Sequence, residues 1–354
     1  MSSPRGPRSP RSPHRPRAPR TRLRARAGAA LGGLLLLLGA SACATGEPAA
    51  APTAAGGAAS PDRIEALPGT PTPRLPVTVP SADGRQVTVD SVERIIPLSG
   101  SLAELVFSLG LGPHAVARDV STTFEQAAQL PVITQAHEVS AEGVLSLRPT
   151  VVLADRSTGP AEAVQQIRAA GVPLIVVDDA KQLADIGARI DRVAAALGVP
   201  EAGAELKSRT EQQISEVRSG IPAAAKRPRV AFLYLRGSAS VFLLGGPDSG
   251  APSLIEAAGG EDAGTAAGLT GDFTPLTSEA LVKAAPDAIL VMSKGLDSVG
   301  GVDGLLDLAG VAQTPAGLDR RIVSVDDGRL LSYGPRTPQV LRELAAGLHR
   351  DGAR

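Results

Sequence analysis

The sequence predicts an α/β protein of two lobes, each with a parallel-rich sheet, joined by one long helix. Three observations predict it. From Val92 onward, short β-rich runs ("RIIPL", "HAVARD", "PVIT", "TVVLAD", "PLIVVDD") alternate with segments whose apolar residues recur at helical spacing, such as Leu102/Leu105/Val106/Leu109 and Val164/Ile167/Ala170; that alternation is the mark of βαβ units. The pattern pauses between residues 179 and 220, where "ADIGARIDRVAAALG" and "AGAELKSRTEQQISEVRSG" are amphipathic, then resumes with "RVAFLYL", "SVFLLGG", "DAILVMS" and "RIVSVDD". In the second amphipathic segment Leu206, Thr210, Ile214 and Val217 fall on one stripe. Finally, "SAEGVLSLRPTVVLA" from Ser140 aligns without gaps to "TSEALVKAAPDAILV" from Thr277, so that Glu142 matches Glu279 and Pro149 matches Pro286. A helix, a proline and a buried strand are thus written twice.

The N-terminal elements are of a different kind. The formal charge of zero conceals an asymmetry: nine of the 36 basic residues lie before residue 27, where there is no acid, so the remainder carries 27 basic against 36 acidic residues, a net −9. An acidic body is a poor partner for nucleic acid. The basic stretch runs into "AGAALGGLLLLLGASA", which has the length of a signal-peptide apolar region and is short for a membrane span. Cys43, the one cysteine in the chain, ends that run and resembles the lipobox cysteine that bacteria acylate after cleavage, although Ala40 stands where lipoboxes usually carry Leu. Residues 1–43 therefore read as a lipoprotein signal peptide, with simple secretion as the other reading. With one cysteine there is no disulfide and no CxxC chemistry. Residues 44–75, dominated by Ala, Pro, Gly and Thr, read as a flexible linker. Next, "VTVPSADGRQVTVD" predicts a hairpin around Asp83-Gly84, with Pro80 confining its first strand to an edge. The N-terminal lobe is expected over 76–200, the bridging helix over 201–222 and the C-terminal lobe over 223–354.

Few residues carry chemistry. The chain has two tyrosines and no tryptophan, and aromatic residues make up 2% of it. One phenol, Tyr234, stands two residues from Arg236 in the apolar strand "FLYLR", and residues two apart on a strand share a face. The pair is either a site or a phenol with its hydrogen-bond partner. Tyr333, in "LSYGPRTP", falls in a Gly/Pro-rich loop suited to a pocket rim. Glu142 and Glu279 each follow a Ser or Thr by two positions, where a carboxylate favours the helix N-terminus. The sequence has no GxSxG, no GxxxxGK[ST] and no HExxH, so the usual hydrolase, phosphate-loop and zinc-protease chemistries lack their parts. A binding protein, not an enzyme, is expected.

Taken together, "RIIPLSGSLAELVFSLGLG", "LPVITQAHEVSAEGVLSLRPTVVLAD" and "RLLSYGPRTPQVLRELAAGL" resemble the substrate-binding proteins of bacterial hemin ABC importers. These are the helix-hinged (class III) periplasmic binding proteins, related to cobalamin and siderophore binders. The resemblance covers roughly residues 75–350. It implies two Rossmann-like lobes bridged by a helix, with hemin clamped between them and passed to an ABC permease and its ATPase. It also implies the iron ligands, a histidine from one lobe and a tyrosine from the other with an arginine beside it: His137 of "TQAHEVSAE" and Tyr234 with Arg236. Ferric iron suits an anionic phenolate. A free phenol titrates near ~10, so ligation at neutral pH draws on the iron and a nearby cation. Arg236 fits that role, or pairs with a heme propionate by its fork geometry. By the same resemblance, Glu142 and Glu279 are the carboxylates, one per lobe, that dock onto permease arginines, a role compatible with capping. The expected place is the outer face of the cell membrane, held there by the lipid on Cys43. A siderophore or cobalamin cargo on the same fold is the alternative, weakened by the scarcity of aromatic residues; a surface lipoprotein without a transport role is another.

Overall fold

The computed structural model describes residues 62–135, 138–222 and 226–349. The signal segment, Cys43, the first part of the linker and His137 lie outside the described residues. Residues 62–75, expected to belong to a flexible linker, lie instead against the N-terminal lobe. Ile64 and Leu67 are buried, the Ile64 amide donates to Gln126 Oε1 at 3.1 Å, and the Leu67 amide donates to the Ser108 carbonyl at 2.9 Å. The reason is local: "RIEAL" places two large apolar residues three apart, of which Ile64 joins the cluster of Phe107 and Phe124 and Leu67 joins the main core.

In the N-terminal lobe, β1 (Val77–Pro80) and β2 (Gln86–Val89) form the expected antiparallel hairpin. The main sheet consists of β3 (Ile95–Pro97), then α1 (Gly100–Ser108), and, after the short strands β4 (Arg118–Asp119), β5 (Val132–Gln135) and β6 (Glu138–Val139) and the helix α2 (Ala141–Ser146), β7 (Val151–Asp155). Helix α3 (Ala161–Ala169) leads to β8 (Leu174–Val177). The order is β3-β7-β8, all parallel. Leu102, Leu105, Val106 and Leu109 are all buried under α1, as their spacing predicts, and Ser99 caps that helix through the Leu102 amide. On α3 the predicted stripe is shorter than expected: Val164 and Ile167 are buried, while Ala170 is the exposed C-cap.

Helix α4 (Asp185–Ala196) precedes α5 (Pro200–Ser219), the 20-residue bridge. Leu206, Thr210 and Ile214 are buried along α5, Val217 packs beside them, and the one polar member hides its hydroxyl by donating to the Leu206 carbonyl at 2.7 Å. In the C-terminal lobe the strands are β9 (Arg229–Arg236), β10 (Val241–Gly245), β11 (Glu261–Asp262), β12 (Phe273–Pro275), β13 (Ala288–Met292) and β14 (Ile322–Val325). The helices are α6 (Pro252–Ala257), α7 (Ala263–Ala266), α8 (Ser278–Ala284), α9 (Ser293–Ser298), α10 (Gly301–Leu306), α11 (Pro315–Leu318) and α12 (Thr337–Leu348). The sheet runs β12-β10-β9-β13-β14 with β11 beside β9; β11, β13 and β14 are parallel in sense with β9, and β10 and β12 are antiparallel to their neighbours. One apolar core, from Leu102 through Leu206 of the bridge to Leu341, is continuous across both lobes.

The internal repeat is also a repeat of structure. Ser140 and Thr277 cap α2 and α8 alike, each accepting the amide three residues on at 3.1 Å, with Glu142 and Glu279 in the first turn. Arg148 and Ala285, equivalent in the repeat, both take positive φ (47° and 41°), and β7 and β13 begin at equivalent residues. Left-handed backbone at a helix end normally falls to glycine; here a side-chain-bearing residue adopts it in both copies.

Candidate functional site

Strand β9 leaves the core at its C-terminal end. Val230 and Phe232 belong to the shared core, and Tyr234 and Arg236 continue the same face outward, with Tyr234 half-buried and Arg236 exposed. The Arg236 Nε–H donates to the Tyr234 hydroxyl, and the guanidinium carbon lies 5.4 Å from the ring centre. On the other side the phenol ring meets Phe273 of β12 at 5.7 Å, tilted by 55°. Ladder register produces that contact, since β10 places Leu243 opposite both Tyr234 and Pro275. The chain then turns at Gly237, where a side chain would strike the Ser298 carbonyl; its amide instead donates to Ser298 Oγ at 2.8 Å. The tyrosine and the arginine are therefore brought together at an accessible strand end. Gln135 and Glu138 pair across β5 and β6 on either side of His137, which itself lies outside the described residues.

Between the lobes lies a cavity of about 380 Å³, walled by the loops after β3, β4, β7 and β8 on one side and after β10 and β14 on the other. Ser101, Asp155, Arg189, Asp248 and Tyr333 are among its lining residues, and Tyr234 and Arg236 are not. Arg189 is buried there against Asp155 at 2.6 Å and also donates to Ser101 Oγ at 2.8 Å and to the Asp178 carbonyl at 2.6 Å. Asp155, Asp179, Asp248, Asp327, Lys181 and Arg189 are the charged residues of the wall, Asp155 and Arg189 being paired with each other. Tyr333, expected at a rim, stands in the wall: it is 1% exposed and its hydroxyl donates to the Gly250 carbonyl. Burial pushes its phenol well above the ordinary range. That suits a structural hydrogen bond and not a phenolate ligand.

The lobes are tied behind this cavity by contacts that single-residue reading of the sequence misses. Glu104 of α1 is fully buried, accepting the Arg336 amide at 2.7 Å and its Nε at 3.0 Å. Arg336 also donates to the Gly328 carbonyl at 3.1 Å and lies over the Phe124 ring. Thr123 donates to Asp326 at 3.0 Å, and the Leu183 amide to Ser253 at 3.0 Å. One signal existed for the first of these: an acid embedded in the apolar helix "SLAELVFSL". Among the described residues no group of three or more His, Cys, Asp or Glu side chains is arranged to hold a metal ion, and no helix is long and apolar enough to cross a membrane.

Two α/β lobes on a helical bridge, with a cleft between them, are the architecture of a substrate-binding protein of the helix-hinged class. The chain belongs to the periplasmic binding protein family, whose model matches residues 95–328, and is a substrate-binding protein of the kind that serves ABC transporters. It is similar to the solved heme binding protein HmuT, with 36% identity and a TM-score of 0.76 over 81% of this chain and 94% of that one. The periplasmic heme-binding protein RhuT from Roseiflexus sp. RS-1, in apo form, is 44% identical with a TM-score of 0.70 over 73% and 98% of the two chains. Among curated proteins, the ABC transporter substrate-binding lipoprotein YvrC of Bacillus subtilis is 25% identical, covering 78% of this chain and 87% of its own. A cobalamin-binding protein of Halobacterium salinarum is 25% identical over 78% and 74%.

Proposed function

We propose that this protein is the extracytoplasmic hemin-binding component of an ABC importer, tethered to the membrane by lipid on Cys43. Tyr234 with Arg236 at the end of β9 is the observation that carries the reading. A phenol oxygen that already accepts an arginine N–H, at a half-buried position backed by Phe273, is suited to ferric iron, and His137 of the other lobe is the proposed second ligand. Its neighbour HmuT has been solved with a histidine, a tyrosine and an arginine each replaced by alanine, the last two being two positions apart, as Tyr234 and Arg236 are. Arg236 is exposed beyond the phenol, and its remaining donors can meet a heme propionate.

Hemin titration tests this reading: a shifted Soret band saturating at a defined equivalence supports it, and an unchanged free-hemin spectrum overturns it. Cobalamin is the second reading, favoured by the Halobacterium relative. Against it stands the 2% aromatic content, too little to enclose so large a ligand by stacking.

Glu142 and Glu279 are both exposed, at equivalent places in the repeat. They are proposed to dock onto the permease, one from each lobe. The double variant Glu142→Ala, Glu279→Ala is expected to keep its hemin affinity while cellular hemin uptake through the importer is abolished; retained uptake would reduce the pair to helix caps.

A further inference from the structure

Another cavity, of about 120 Å³, lies behind the hinge where the end of α1, the middle of α5 and the start of α12 meet. Glu65, Ser108, Arg209, Gln213, Arg336, Gln339 and Arg342 are among the residues that line it. Two of these residues carry buried polar atoms without a partner. Ser108 is 1% exposed with its Oγ unpaired, and Arg336 is 2% exposed with its Nη1 unpaired, its Nε being engaged by Glu104 and its Nη2 by the Gly328 carbonyl. Leaving a cationic N–H and a hydroxyl buried and unpaired costs free energy that a guest would recover.

The wall's chemistry defines that guest. Guanidinium groups only donate, and the serine hydroxyl and the two glutamine amides add donors to theirs. The wall holds three arginines against two carboxylates, that of Glu65 and that of Glu104 on Arg336, which leaves a positive excess; Arg209 already donates to the Glu65 and Ala66 carbonyls. A single water needs roughly 10–15 Å³ of such space, so the cavity admits something larger. We propose that it is a binding site for a small tetrahedral oxyanion, phosphate or sulfate. Its oxygens accept from Arg336 Nη1 and Ser108 Oγ, with the Gln213 and Gln339 amides and Arg342 completing the shell. Since Arg336 also holds Glu104 of the other lobe, the anion sits on the hinge itself, independently of any cargo in the cleft.

The test uses inorganic phosphate, sulfate and chloride on the purified protein at matched ionic strength, with affinity read from the dependence of the unfolding midpoint on anion concentration. Phosphate or sulfate is expected to stabilise the wild type saturably. Gln339→Leu and Arg342→Ala, which lie outside the core, are expected to weaken that binding by about tenfold or more, the value of one charge-assisted hydrogen bond. Crystals soaked in selenate should show anomalous density beside Arg336 and Ser108. Water alone in the cavity, an identical anion response in wild type and variants, or chloride acting as well as phosphate would each overturn the proposal.

Discussion

Glu104→Gln is expected to cost the protein about 3–5 kcal/mol of stability, the loss typical when one partner of a buried ion pair is neutralised. The side chains of Glu104 and Arg336 are 0% and 3% exposed, so solvent cannot take over the abandoned charge. The substitution keeps the shape of the side chain and one acceptor oxygen but removes its charge, leaving a buried guanidinium whose neighbours there, the Gly328 carbonyl and the face of Phe124 among them, carry no compensating charge. Space around the carboxylate is equally constrained, since a side chain on Gly334 would come within 2.7 Å of Glu104 Oε1. Denaturant unfolding of Glu104→Gln, Arg336→Met and the double variant Glu104→Leu, Arg336→Met measures the effect. Both single variants are expected to fall by the full amount and the double to recover most of it, because two apolar side chains bury no charge. Single variants within about 1 kcal/mol of wild type, the range of an exposed pair, would show that water reaches the pair. The pair joins α1 of one lobe to the residue before α12 of the other, so it also limits how far the lobes can open.

Tyr234→Phe is the second large effect. The ring stays packed on Phe273 and only the oxygen is lost, so folding is expected to be unchanged while hemin retention falls by at least the tenfold to hundredfold that loss of an outer partner costs a metal site. Arg236→Ala keeps the phenol and removes its donor, and a loss within that tenfold-to-hundredfold range is expected, with an altered spectrum. Hemin affinity and spectra of both variants, beside His137→Ala and Tyr333→Phe, check the assignment. Tyr333→Phe is expected to leave the spectrum intact, because that phenol is buried and committed to Gly250. A Tyr234→Phe protein indistinguishable from wild type would remove Tyr234 from the iron.

The features written locally were legible in the sequence. The α/β alternation, the hairpin at Gly84 and the buried stripe of α5 follow from periodicity, and the repeat extends further than its letters, to matching positive φ at Arg148 and Ala285. Tyr234 and Arg236 could be placed on one face because a strand fixes that relation at a separation of two. Features assembled from distant segments were not legible. Glu104 and Arg336 are 232 residues apart, and the serines and aspartates of the interlobe cavity come from six loops, where such residues ordinarily serve turns. Residues 62–75 differ from expectation for a related reason: their Pro/Gly/Thr content outweighs Ile64 and Leu67, whose partners (Phe107 and Phe124 for Ile64, the main core for Leu67) lie elsewhere in the chain. Tyr333 sits in a loop as expected, but its ring turns inward, which a loop sequence cannot reveal.

Absorbance titration of the purified protein with hemin, run beside cyanocobalamin, tests the central claim most directly. Saturable appearance of a shifted Soret band with hemin, displaced by neither cyanocobalamin nor salt and lost in Tyr234→Phe, is the result expected of a hemin carrier with a tyrosine ligand. A free-hemin spectrum throughout, or tight retention of cyanocobalamin in its place, would contradict it.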